Sequence, residues 1–155
     1  CNVWPLCSSL KLEPKEVTAV INMKGIKGTI IFSQTSPFES TELKVSLSNL
    51  RNSVGPYHVH QFPVPPKKSS NEDICSNDNS FSYPTGPGAT HDRYEIGDLS
   101  GKHGSLKDKD WFSSVYIDWN LPLFGRNSIV GRSVVIHLPN GTRLACGSIA
   151  KSLFL

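Results

Sequence analysis

The sequence predicts an all-β fold, a sandwich or barrel of about eight short strands. Three observations predict it: short runs of β-branched or alternating residues, clusters of Gly, Pro, Asn and Ser between them, and the near absence of helical periodicity. In chain order, Thr18 to Met23 and Gly28 to Gln34 are rich in β-branched residues, and Glu42 to Leu47 alternates polar with apolar. Tyr57 to Phe62 is a short run with two histidines two apart, and Arg93 to Leu99 and Trp111 to Asp118 follow a long irregular stretch. Ile129 to Leu138 holds Val134-Val135-Ile136, and Arg143 to Ile149 is the last expected strand.

With 155 residues the chain is long enough for one domain with a real core. The formal charge of +3 comes from scattered Lys and Arg, with Lys67-Lys68 a local pair, so no basic stripe supports nucleic-acid binding, whereas a mild positive bias favours a small anion. The apolar runs are far shorter than the ~20 residues a membrane-crossing helix needs. A first residue of Cys rather than Met reads as a processed or excised segment. Four cysteines fit an oxidising compartment, and Asn140-Gly141-Thr142 is a glycosylation sequon in an expected turn. Together they point to an extracellular or cell-surface location.

Residues 1–17, with two prolines and Cys1 and Cys7, lack strand periodicity and read as a linker or strap, leaving 18–155 as the barrel domain. Cys1 and Cys7 can close a small loop with each other. The stretch from Pro63 to His91, rich in Pro, Ser, Asn, Gly and Asp, is much longer than an ordinary connection, and such loops are usually functional. Cys75 can pin it to the barrel, with Cys146 a candidate partner, but spacing alone does not give connectivity.

The residues that carry chemistry are histidines. In Gly55-Pro56-Tyr57-His58-Val59-His60, strand alternation sends His58 and His60 to one face. Two adjacent neutral imidazoles are half of a transition-metal site. His137 closes the run Ile129 to Ile136, and a strand there that pairs with the first would complete an imidazole cluster.

Four segments, in order, resemble the copper/zinc superoxide dismutase family. Gly55 to Phe62 resembles its Gly-Phe-His-Val-His-Glu-Phe strand, Gly97-Asp98-Leu99 its Gly-Asp-Leu, Gly131 to His137 its Gly-Arg-x-x-Val-Val-His, and Arg143 to Gly147 its Arg-Leu-Ala-Cys-Gly. The resemblance runs from about Thr18 to Ala150. It implies an eight-stranded Greek-key β-barrel, one copper ion cycling between Cu(I) and Cu(II) on His58, His60 and His137, and a Cys75–Cys146 disulfide anchoring the long loop. It also implies that Arg143 sits beside the copper and guides superoxide in, a task suited to a permanently charged guanidinium.

The departures from the family are as informative. Its bridging histidine lies six residues after the loop cysteine, where this chain has Phe81, and its proline nine after, where Pro84 stands. Of the zinc ligands only Asp98 is in register, the histidine three before it being Glu95, so no zinc is expected. His137 and Arg143 are joined by Leu-Pro-Asn-Gly-Thr alone, so the long electrostatic loop is missing. These features, with the string Tyr94 to Gly104, resemble the copper-only branch and its superoxide dismutase repeat proteins. There Glu95 would orient the redox-active histidine, and Asp98 would support the copper histidines by hydrogen bonding.

The expectation is an oxidoreductase dismutating superoxide at a three-histidine copper, with activity reduced by the loss at Phe81 and with protons drawn from water or Glu95. His91 and His103 are alternative sources of a fourth imidazole, His103 reading rather as a structural hydrogen-bonding residue. The alternative function is a non-catalytic copper-binding or structural repeat. Superoxide, and neighbouring repeat domains of a longer protein, are the expected partners, and a monomer the expected state. Trp111, Trp119 and Tyr116 read as packing residues.

Overall fold

The computed structural model describes residues 12–51, 54–67, 74–75 and 94–152. Among them are seven strands and one short helix: β1 (Lys15–Met23), β2 (Ile26–Gln34), β3 (Thr41–Ser48), β4 (Tyr57–His60), α1 (Leu99–His103), β5 (Phe112–Asp118), β6 (Ser133–His137) and β7 (Arg143–Lys151). The strands form one antiparallel sheet in the order β4-β6-β7-β1-β2-β3-β5. The chain therefore runs through β1, β2 and β3 as neighbours, crosses to the far edge for β4, returns beside β3 for β5 and crosses again to β6. These crossings are the Greek key of an all-β barrel.

Period-two burial explains the curl. Val17, Ala19 and Ile21 of β1, Ile30 and Phe32 of β2, and Leu43, Val45 and Leu47 of β3 share one buried cluster with Tyr57, Val59, Val134, Ile136, Ala145 and Ile149 from the other side. A sheet whose inner face is apolar from edge to edge must close on itself to bury it. The β1–β2 hairpin turns on Lys24 and Gly25, both with positive φ (52° and 85°), which matches the twist of its flanking strands.

The structure corrects the sequence at one strand. Residues 94–98, expected with Arg93 and Leu99 as the fifth of eight strands, form a turn, and Leu99 opens α1. Asp98 is the helix N-cap, its carboxylate accepting from the N–H of Gly101. This segment still does a strand's work on the open edge of β4. The Gly97 carbonyl accepts from Val59 N at 2.8 Å, and Ser100 Oγ accepts from Tyr57 N at 2.7 Å. Edge N–H groups that would otherwise lack partners are thus satisfied. From α1, Lys102 and His103 reach Asp118 at the end of β5, so the helix bridges the two edges of the sheet.

Smaller differences concern boundaries. β1 begins at Lys15, ahead of Thr18, β4 ends at His60, and β6 starts only at Ser133. Trp111 and Trp119, expected to pack, are 68% and 74% exposed, because they fall on the outward phase of β5 while Phe112 and Tyr116 take the inward one.

Candidate metal centre

β4 presents Tyr57 and Val59 to the core and His58 and His60 to the opposite face. β6 pairs with it, His58 opposite Val135 and His60 opposite Ser133. His137 lies one step further, its N–H donating to Pro56 O at 2.9 Å and its carbonyl accepting from Gly55 N at 2.8 Å. It thus sits opposite Pro56, in the same phase as His58 and His60, and the three imidazoles share one face outside the core. Each offers a ligand nitrogen, and these atoms all lie within 4.8 Å of one another. Among the described residues no other group of three or more His, Cys, Asp or Glu is so placed.

Hydrogen bonds decide which nitrogen faces inward. His137 Nδ1 lies 3.0 Å from the carbonyl of Gly141, which can only accept, so Nδ1 carries the proton and Nε2 keeps its lone pair. His58 Nε2 faces Asp98 Oδ1 at 3.4 Å, which leaves Nδ1 as the lone-pair atom. That Nδ1 is buried and has no hydrogen-bond partner. His60 Nε2 lies 3.2 Å from His137 Nε2. At that distance one ring can donate to the other, or both can turn lone pairs to one metal ion. An orphaned nitrogen beside two converging ones fits an imidazole-liganded transition metal.

Burial is the main cause that lowers the pKa of His137 below the ordinary histidine value, with the charges of His58 and Arg143 acting the same way against the Gly141 hydrogen bond. Burial alone would raise Asp98, but the hydrogen bonds from His58 and Gly101 N, with the charge of Lys102, outweigh it and hold the carboxyl below its usual range. It therefore stays a carboxylate and an acceptor.

Arg143 reaches this face through a β-bulge. The register of β6 with β7 runs Ile136 to Ala145 and then skips to His137 opposite Arg143. The extra residue, Leu144, packs against the core, while Arg143 is carried across from His137, half-buried. The turn between them is short, with Asn140 exposed and its Oδ1 accepting from Thr142 N. Beside the histidines, Cys146, opposite Val135, is joined to Cys75 with Cα atoms 5.8 Å apart. The disulfide and Val135 form a small buried cluster with Met23, Val64 and Ile74 packed on it, so the loop after β4 is tied to the histidine face.

Glu95 is half-buried three residues before Asp98, its carbonyl accepting from Asp98 N at 2.9 Å. His103 lies apart from the cluster, with Nε2 at 2.8 Å from Asp118 and its ring stacked on Tyr116. Phe81, His91, Cys1 and Cys7 lie outside the described residues. Two contributors escaped sequence reading. The Gly141 carbonyl is backbone and carries no residue-type signal. Gly101 lies where a Cβ would run into the Asp98 carboxylate and the Tyr94 ring.

Comparison with known proteins agrees with this geometry. The family model of copper/zinc superoxide dismutase matches residues 26–149. The cell surface Cu-only superoxide dismutase 5 of Candida albicans is 38% identical over 132 residues, covering 80% of this chain and 54% of that protein. Cell surface superoxide dismutase [Cu-Zn] 4 of the same organism is 35% identical over 129 residues, covering 80% and 53%. The chain thus spans about half the length of these curated relatives. The solved structure of Candida albicans superoxide dismutase 5 in its Cu(II) form superposes with a TM-score of 0.76 at 33% identity, covering 91% of this chain and 94% of that one. With its barrel, its disulfide and its three clustered histidines, the chain belongs to the copper/zinc superoxide dismutase family, in its copper-only branch.

Proposed function

We propose that this chain is a copper-only superoxide dismutase domain in which His58, His60 and His137 hold one copper ion, and that it converts superoxide to dioxygen and hydrogen peroxide. The observation that carries the reading is the buried, unpartnered Nδ1 of His58 facing the paired Nε2 atoms of His60 and His137. Bound there, copper would supply a one-electron couple between Cu(I) and Cu(II), which zinc lacks.

The chain's own residues supply the rest. Two superoxide anions and two protons yield one dioxygen and one peroxide, so the site must attract an anion and pass protons. Arg143, opposite His137, supplies a fixed positive charge and a two-pronged donor for the anion. Asp98 and the Gly141 carbonyl fix two of the three imidazoles in the tautomers that point lone pairs inward. With Phe81 at the family's bridging position, no imidazole there passes a proton, and water or Glu95 takes that role. We assign no zinc to the domain. Asp98, the zinc position still in register, is engaged by His58 and Gly101. The disulfide, the sequon at exposed Asn140 and the surface location named for the Candida relatives support an extracellular or cell-surface setting.

A second reading, a copper-binding or structural repeat without turnover, is favoured by Phe81 alone. The test is copper stoichiometry together with superoxide decay per bound copper, followed by pulse radiolysis across pH. One copper that is lost in His137→Ala, with a rate within reach of the ~10⁸–10⁹ M⁻¹s⁻¹ ceiling, supports the enzyme. One tightly held copper with negligible decay selects the second reading. Failure to retain copper overturns the enzyme and the copper-binding module, and leaves a purely structural repeat.

A further inference from the structure

We propose that the buried network of Lys102, Asp118 and His103 is a latch that positions Asp98, and through it His58, so that a residue with no contact to the histidine cluster sets the geometry of the metal centre. This rests on the copper reading above.

Lys102 and Asp118 have wholly buried side chains, with Lys102 Nζ 2.7 Å from Asp118 Oδ2. The same ammonium donates to Asn120 Oδ1 and to the Ile96 carbonyl, both at 2.8 Å, so all three of its protons have acceptors. Asp118 also takes His103 Nε2 at 2.8 Å and the N–H of Asn120 at 3.0 Å. The Tyr57 hydroxyl is buried nearby without a partner, close enough to Asp118 and Tyr116 for their charges to help keep it a neutral phenol, after burial itself.

The connectivity of the network gives it its role. Asp118 and Asn120 belong to the β5 side of the barrel, whereas Ile96 lies two residues before Asp98. Lys102 therefore ties the turn that carries Asp98 to the opposite edge of the sheet. On the near side, Gly97 and Ser100 dock the same turn onto β4, which bears His58. Asp98 is held between these anchors, its carbonyl accepting from Lys102 N at 3.1 Å and its carboxylate on Gly101 N at 2.7 Å. A buried ion pair adds little net stability once both charges are desolvated, but it fixes geometry. Lys102 is thus a positioning residue for Asp98.

The test compares Lys102→Met, Asp98→Asn and the double variant, loaded with Cu(II) and read by electron paramagnetic resonance and competition titration. The expected result is that both single variants shift the Cu(II) spectrum in the same direction and weaken Cu(II) binding about 10-fold, and that the double variant is no weaker than Asp98→Asn alone. A Lys102→Met protein with lowered melting temperature but wild-type spectrum and affinity overturns the latch, as does a full additive loss in the double variant. If Lys102→Met does not fold, Asn120→Ala removes one of the three acceptors. A spectrum moved toward that of Asp98→Asn supports the latch, and an unchanged one overturns it. Wild-type protein that takes up no copper refutes the copper reading itself, whereas normal uptake with an unmoved Lys102→Met spectrum refutes the latch alone.

Discussion

Replacing Gly101 by alanine separates metal affinity from fold stability in one substitution. A Cβ there would meet Asp98 Oδ2 and the Tyr94 ring. The carboxylate cannot retreat freely, because Gly101 N itself holds its Oδ1 at 2.7 Å. It must move as a unit, and the contact with His58 goes with it. That contact is 3.4 Å, beyond the 2.7–3.2 Å usual for N–H···O, which places its worth at the low end of the 10–100-fold range for groups that orient metal ligands. The expected loss is about 10-fold in copper affinity, or about 1.4 kcal/mol. Fold stability changes less, because Gly101 lies inside α1 and the helix preference of alanine, about 1 kcal/mol, offsets part of the strain of the collision and of the disturbed Asp98 cap. Chelator competition gives the affinity and circular dichroism the melting temperature. Wild-type copper affinity in Gly101→Ala would refute the claim that Asp98 orients His58.

Three further outcomes follow from the same geometry. Cys75→Ser with Cys146→Ser frees a 71-residue separation and should cost about 4 kcal/mol by loop entropy, near 10 °C in melting temperature for a chain of this size; urea unfolding against the oxidised protein measures it, and a loss under 1 kcal/mol contradicts the expectation. Arg143→Ala should slow superoxide decay ~10-fold or more at low ionic strength, with the gap narrowing as salt rises and copper affinity unchanged; stopped-flow decay in a salt series shows it, and a salt-independent deficit would rule out steering. The metal-free protein should lose stability to acid in two stages. His137, lowered from 6.5 in the fold, lets the unfolded chain bind its proton first, so stability falls as pH drops below 6.5 until the folded value is passed. Asp98 and Asp118, held below 3.8, contribute stability that is complete above that value and is lost as pH falls through their folded values. Urea midpoints across pH follow both stages, and His137→Gln should remove the first only.

What was legible in the sequence was what period two controls. The parity of His58 and His60 and the apolar run ending at His137 placed three imidazoles on one face, because backbone alternation fixes side-chain direction once strands pair. α1 was not legible. Leu99-Ser100-Gly101-Lys102-His103 is too short for helical periodicity, and its neighbours Tyr94 and Ile96 read as strand. The helix exists because Asp98 caps it and Ser100 and Lys102 find partners on β4 and β5, a tertiary cause. The burial of Lys102 carries no sequence signal, since most lysines are exposed; it depends on Asp118, 16 residues on and across the barrel. The bulge that delivers Arg143 opposite His137 is a matter of pairing register, which the run Arg143-Leu144-Ala145 does not announce.

A strand that carries two ligands on one face and core residues on the other has little freedom left in its side chains. Tyr57 and Val59 are committed to the core, and His58 and His60 to the cluster. The remaining means of adjusting β4 is its outer edge, and here that edge is bonded by the turn and helix that also supply Asp98. Closing the barrel and orienting His58 are therefore one structural act: whatever shifts residues 94–103 moves an edge partner of β4 and the acceptor for His58 together. Substitutions in that segment can tune the metal centre while leaving all three histidines and the apolar core untouched, and the buried Lys102 is the point at which the opposite side of the barrel bears on it.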